Sequence, residues 1–305
     1  MRKYFGAGGR YRGGGYLKTA MRLQPRCLEG AFTVVTVHNF SYGLLNPALG
    51  FAMSWLGSFL GLRCVILARA YEGRARARWL VLAAVAIGAV GIWSMHFIAM
   101  LGFTIPGETI RYNVVTTIAS MLLAVAVVGA GLFIVGFGSG GWSRLVAGGV
   151  VIGVGVAAMH YLGMAAMSMP MSISYSLPLV ALSVLIAIVA GTAALWIGTW
   201  VRTIKATLGA AVVMGVAVTG MHYTGMAALR VTGMATSSTG SIAGLTGTAS
   251  VSGATAGTFL IPLLLVISLA TFLLTLSISM TPSEDEIRAD QEMRRRLEYL
   301  EQRNQ

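Results

Sequence analysis

Charge is what this sequence has least of. Only 10% of its 305 residues are charged, and the 10 acidic side chains are outnumbered by 22 Lys and Arg. Cysteine is limited to Cys27 and Cys64, and histidine to four positions. Each shortage excludes something. With 56% of residues hydrophobic and a mean hydropathy of +0.77, so little charge cannot cover a soluble surface. One cysteine precedes the first long apolar run and the other stands near its end, so a membrane separates them and no disulfide joins them. Asp and Glu are missing from the apolar runs, which removes the hard oxygen ligands that Mg, Ca or Mn would need there. No nucleophile or carboxylate pair accompanies the histidines, so an enzyme is not expected. The first thirty residues lack the apolar core of a signal peptide.

What is there is apolar length. Seven runs exceed the roughly 18 residues that cross a hydrocarbon core of about 30 Å. They are Leu44 to Ala68, Trp79 to Leu101, Asn113 to Gly136, Ser143 to Met167, Leu177 to Trp200, Thr207 to Leu229 and Thr258 to Met280. The expected fold is an all-α membrane protein with seven transmembrane helices. Residues 1–37 read as a basic, disordered tail, with Met21 an alternative start to Met1. Residues 38–230 form a six-helix membrane domain and 231–257 a flexible Ser/Thr/Gly-rich external loop. A seventh span over 258–280 leads into a charged cytosolic tail, 281–305. There Ser283 and Glu286 have capping-box spacing, and Met293, Leu297 and Leu300 mark one helix face.

The net charge of +12 sits in loops and tails beside spans, where it fixes orientation and meets anionic lipid; nucleic acid is not an expected partner. Arg69, Arg74, Arg76, Arg78, Arg144, Arg202 and Lys205 all fall on one side. Positive-inside counting makes that side cytoplasmic, together with the C-terminus, in a multi-pass membrane protein. The basic N-terminal tail counts the other way.

One hexapeptide pattern, M-H-[FY]-x-[AG]-M, occurs three times: Met95 to Met100, Met159 to Met164 and Met221 to Met226. His96, His160 and His222 are 64 and 62 positions apart, so the first six spans read as three repeated two-helix hairpins whose second helix carries the motif. Two helices per unit preserve direction, which makes the repeats parallel about an axis along the membrane normal. Gly148, Gly149, Gly153 and Gly155 suit close helix approach. At 1.5 Å per residue, each motif histidine lies roughly 24–27 Å from the basic side, one layer just beneath the opposite surface.

Histidine and the second methionine of each copy are four apart and share a helix face. Three imidazoles from His96, His160 and His222, with the thioethers of Met100, Met164 and Met226, can therefore converge on the bundle axis. His38, before the first span on the same side, is a candidate fourth nitrogen. Imidazole with thioether favours copper, Cu(I) above all; zinc and haem fit less well. Met95, Met159 and Met221 lie about 100° round the helix and read as packing residues.

These motifs resemble the MHYT family of bacterial integral membrane sensor proteins. Met221-His222-Tyr223-Thr224 matches its tetrapeptide in full and Met159-His160-Tyr161 in part, while Phe97 and Leu162 depart from it; His38-Asn39 is similar to a polar His pair at the start of the family's domain. The resemblance implies a six-span sensor holding copper near the outer face and detecting oxygen, carbon monoxide or nitric oxide, often ahead of cyclic-di-GMP enzymes. Here the chain stops 25 residues after the last span, so output is expected through a separate cytosolic partner bound by the tail, with homo-oligomerisation open. The alternative reading is a transporter or channel that passes a metal ion or small solute through the same His/Met layer.

Overall fold

The structure, a computed structural model, describes residues 32–138, 141–169, 171–234, 253–280 and 284–303. Most of the basic N-terminal tail, Met21, Cys27, Ser283 and most of the Ser/Thr/Gly-rich stretch lie outside the described residues. Seven helices are long and apolar enough to cross a membrane: α1 (Leu45–Arg69), α2 (Gly73–Leu101), α3 (Val114–Gly136), α4 (Trp142–Ala165), α5 (Leu177–Trp200), α6 (Ile204–Ala227) and α7 (Ala256–Ser279). They match the seven expected runs; α2 begins six residues earlier, at Gly73 rather than Trp79. A last helix, α8 (Glu284–Arg303), forms the tail, with Met293, Leu297 and Leu300 exposed.

Helix is the economical answer for these runs, because lipid offers no partner for backbone N–H and C=O groups. The entries are capped. Asn113 Oδ1 accepts from the Thr116 N–H at 3.0 Å, Thr203 Oγ1 accepts from the Ala206 N–H at 3.2 Å, and α5 has a proline in its first turn.

The first six helices close into a ring: α1 packs on α2, α2 on α3, α3 on α4, α4 on α5, α5 on α6, and α6 back on α1. Small residues set these distances. Gly57 of α1 lies against the backbone of Gly91 in α2, and Gly149 and Gly153 of α4 lie against Thr192 and Ile188 of α5. Gly155 faces Val127 of α3, and a Cβ at Gly148 would reach within 2.9 Å of Leu195 Cδ1. The fourfold glycine face expected of α4 is thus used on both sides. The seventh helix leans on the outside, against α1 and the middle of α2.

That middle is unusual. Ala86–Trp93 of α2 is π-helical and fully buried. It is held by the Ser94 hydroxyl donating to the Ala89 carbonyl at 2.9 Å, and by Trp93 Nε1–H donating to Ser120 Oγ at 3.0 Å and the Thr117 carbonyl at 3.3 Å.

Beyond the motif end of the bundle the loops are laced into strands, which the all-α expectation did not contain. They are β1 (Phe32–Val34), β2 (Arg111–Tyr112), β3 (Met167–Ser168), β4 (Ser172–Tyr175), β5 (Leu229–Met234) and β6 (Ala254–Thr255). Two three-stranded sheets result, in the orders β1-β5-β4 and β3-β2-β6, antiparallel throughout. Two boundaries are corrected by this. The irregular tail expected through residue 37 gives way to β1 from Phe32, and the loop expected over 231–257 is strand at both ends, because each finds a partner edge.

The threefold repeat is visible in these pairings. Thr104, Ser168 and Arg230, each eight residues past its motif histidine, pair with His38, Arg111 and Ser174. The backbone N–H groups of Ser41, Asn113 and Ser176 donate to the carbonyls of Gly102, Ala166 and Ala228 at 3.1, 2.8 and 2.8 Å, tying the entry of each hairpin to the end of a motif helix.

Candidate metal centre

Each motif histidine sits five residues before the end of its helix: His96 before Leu101, His160 before Ala165, His222 before Ala227. Equal depth on three helices related by the repeat brings the three rings to the bundle axis. They meet there. Nδ1 of His96 lies 3.0 Å from Nδ1 of His222 and 3.1 Å from Nδ1 of His160. Ring centroids are 4.9 to 5.1 Å apart and the planes stand at 80 to 87°, a three-bladed propeller. All three rings are at most 1% exposed.

A second tier of aromatic rings braces the first. Phe97, Tyr161 and Tyr223 stand edge-on to His96, His160 and His222 at 4.7, 4.9 and 4.9 Å. Outside them come Tyr112, Tyr175 and Phe40, at 6.1, 5.5 and 5.3 Å from those three rings. Tyr161 also hydrogen-bonds the Ser183 hydroxyl at 2.8 Å. Outside the membrane segments, burial pushes the Tyr112 phenol well above its usual range, and burial with the neighbouring Tyr161 raises that of Tyr175. These tyrosines stay neutral and act as walls.

The outer ring nitrogens are seated on glycine. A Cβ on Gly163 would come within 2.5 Å of His96 Nε2, and one on Gly225 would collide with His160 Nε2. Those two Nε2 atoms are buried and have no hydrogen-bond partner among the described residues. The motif's fifth position, glycine in copies two and three, is therefore the floor on which the preceding copy's ring rests; copy one has Ala99 there. Sequence reading recorded this position as merely small; the repeated Gly-x-x-Ala tract after His160 and His222 was the available signal. It also missed the π-helical stretch and the outer aromatic tier, which have no spacing signature of their own.

His38 is a correction. Its backbone pairs with Thr104 in both directions, at 2.9 and 2.8 Å, and its side chain is exposed. In the threefold scheme it stands where Arg111 and Ser174 stand, on the surface belt and outside the imidazole cluster, which comprises His96, His160 and His222. Met100, Met164 and Met226 are 1, 0 and 4% exposed and lie, four residues on, along the histidine face of their helices. Met95, Met159 and Met221 are equally buried; Met95 packs beside Gly50 of α1.

These residues fit a metal. Three nitrogens each about 2.0–2.1 Å from one ion stand roughly 3.5 Å apart when coplanar with it, and two of the three Nδ1 pairs lie at 3.0 and 3.1 Å. A ligand set using Nδ1 places the proton of each neutral ring on Nε2. The donor set also suits only a soft or borderline ion, since imidazole and thioether are the buried donors on these faces.

Residues 90–148 and 153–211 match the profile of the MHYT family, described as a bacterial signalling protein N terminal repeat. The chain is 38% identical over 253 residues to the bifunctional diguanylate cyclase/cyclic di-GMP phosphodiesterase MucR of Pseudomonas aeruginosa, covering 81% of this chain and 35% of the relative. It is 33% identical over 214 residues to an uncharacterized signaling protein of Caulobacter vibrioides, 69% of this chain and 25% of the relative. It is 35% identical over 200 residues to the cyclic di-GMP phosphodiesterase NbdA of Pseudomonas aeruginosa, 63% of this chain and 25% of the relative. The chain thus spans about a third of the first relative and a quarter of the other two. No solved structure matches it. With two matched repeats and a third motif copy completing the imidazole triangle, the chain belongs to the MHYT family of bacterial integral membrane signalling proteins.

Proposed function

We propose that this bundle is a sensor input module in which His96, His160 and His222 hold one copper ion and a diatomic gas, oxygen, carbon monoxide or nitric oxide, is the signal. The observation that supports it best is the meeting of three buried imidazoles, with His96 Nδ1 at 3.0 and 3.1 Å from Nδ1 of His222 and of His160. Met100, Met164 and Met226 supply soft donors on the same helix faces. Copper, when bound, supplies an exchangeable coordination position and one-electron chemistry. The residues supply the rest: Phe97, Tyr161 and Tyr223 exclude water, and the glycine seats hold the rings in place. A ring that turns presses on the neighbouring motif helix.

Positive-inside counting orients the imidazole layer toward the outer face and the C-terminus toward the cytoplasm. Two relatives are named for cyclic di-GMP turnover, so the output in view is a cytosolic signalling enzyme, reached through α7 and α8. The bundle itself is not read as the enzyme.

Metal content of the purified full-length protein tests this. About one copper per chain is expected, against almost none in the H96A/H160A/H222A variant, and carbon monoxide or nitric oxide should shift the copper spectrum under anaerobic conditions. Equal copper in wild type and triple variant overturns the reading. Transport of a cation through the same layer is the weaker alternative, because the space beneath the rings is walled by aliphatic side chains and ends at Arg69, Arg76 and Arg202. Proteoliposome flux of copper would revive it.

A further inference from the structure

Beneath the imidazole layer the bundle encloses a cavity of about 330 Å³. All six ring helices line it. Its walls are aliphatic, with Leu62, Leu80, Leu132, Ile152, Leu195 and Val218 among them, and Met221, next to His222, closes one end. At the other end stand three guanidinium groups, Arg69, Arg76 and Arg202. Along α1 the lining residues run from Ser58 to Arg69, eleven positions or roughly 16 Å of helix. This space plays no part in the metal reading.

We propose that this cavity is a binding site for a single medium-chain fatty acid anion, with its hydrocarbon tail directed at Met221 and its carboxylate on the arginines. Three observations carry it. First, the polarity is split end to end, apolar walls and a cationic mouth, which is the pattern of an amphiphile with an anionic head. Second, the arginines are positioned as a group. Arg69 Nη1 donates to the Val201 carbonyl at 3.1 Å, which fixes it beside Arg202, and the Arg76 guanidinium lies over the Phe137 ring at 5.3 Å. Guanidinium binds carboxylate through paired, charge-assisted hydrogen bonds. Third, the volume is at the floor of the roughly 300–1,000 Å³ found for ligand pockets, which admits one chain and not a two-tailed phospholipid. Apolar volume of this kind gains dispersion contacts from an occupant. A metal cation gains nothing here, since three positive groups guard the mouth.

The site is tested with the full-length protein in nanodiscs, using a diazirine-bearing dodecanoic acid and the matching fatty alcohol as photolabels. Cross-links from the acid are expected on wall residues such as Leu132, Ala190 and Leu195, with the acid labelling at least tenfold better than the alcohol. The cavity-filling pair A190F/A217F should lose the label. The R76Q/R202Q variant should erase the preference for the acid while keeping the alcohol's labelling, which separates loss of the head site from loss of the fold. Cross-links confined to lipid-facing positions such as Leu185 and Val189, equal labelling by acid and alcohol in the wild type, or undiminished labelling of the filled variant would overturn the proposal. Copper content of the same samples is read in parallel, so that failure here is distinct from failure of the metal centre.

Discussion

A ring nitrogen pressed against a glycine has nowhere to go. That is the situation of His96 over Gly163 and His160 over Gly225, and it makes the fifth position of copies two and three a positioning residue for the proposed metal centre. One methyl group added there must push the ring or spread two helices, at a cost of about 1–3 kcal/mol. G163A and G225A are each expected to weaken copper binding at least tenfold and to change the copper spectrum, whereas A99G, which removes a methyl, leaves affinity within a few fold. Unchanged spectra in G163A and G225A would show that the seats are only packing. Binding also requires neutral imidazoles, so copper should be released as pH falls, with protons taken up in its place; copper retention at mildly acidic pH measures this directly. H38A, on the surface belt, is expected to keep full copper occupancy.

At the scale of elements, the seven spans were legible because each is a long uncharged run, and the imidazole triangle because one residue type recurs at one depth on three helices. The strands were not. Pairings such as Arg111↔Ser168 and Tyr112↔Met167 involve two residues apiece, and no alternation develops over so short a stretch. His38 was misplaced for the same reason: nothing in its sequence context separates a belt residue from a ligand, and only the backbone pairing with Thr104 does so. Which imidazole nitrogen faces inward was also out of reach, since helix phase places a ring but leaves its rotation to packing. The belt yields its own prediction. Replacing Ser41 by proline removes one of the three equivalent N–H donors, the bond to Gly102. A loss of about 1–2 kcal/mol is expected, seen as a lower melting temperature without loss of copper stoichiometry.

For the whole molecule, the ring of six helices is held at its centre by three residues from three different hairpins. An ion held there, as proposed, would tie together segments that are 64 and 62 residues apart in the chain. Because such a site would bind only in the folded arrangement, copper at a thousandfold excess over its dissociation constant should stabilise the protein by about 4 kcal/mol. A chelator is expected to lower the melting temperature of the wild type by several degrees and to leave that of H96A/H160A/H222A unmoved; equal shifts would place the stabilising metal elsewhere. The seventh helix is the one span that does not close the ring. It rests on α1 and on the π-helical part of α2, which in the proposed sensor is the contact that would carry a change at His96 toward the tail.

The π-helical turns of α2 have a further consequence. From its first residue to its motif histidine α2 runs 23 positions, whereas α4 and α6 run 18 each, Gly73 to His96 against Trp142 to His160 and Ile204 to His222. Helices of unequal lead-in would ordinarily present their histidines at different angles, about 100° for each extra residue. Winding Ala86–Trp93 with wider turns takes up slack, as a joint in a rail does, and lets His96 arrive in phase with the other two. Deleting Ala89 should therefore rewind that stretch as ordinary helix and keep copper bound, while deleting Val81, in the straight part of the same helix, should swing His96 away from the axis and abolish binding.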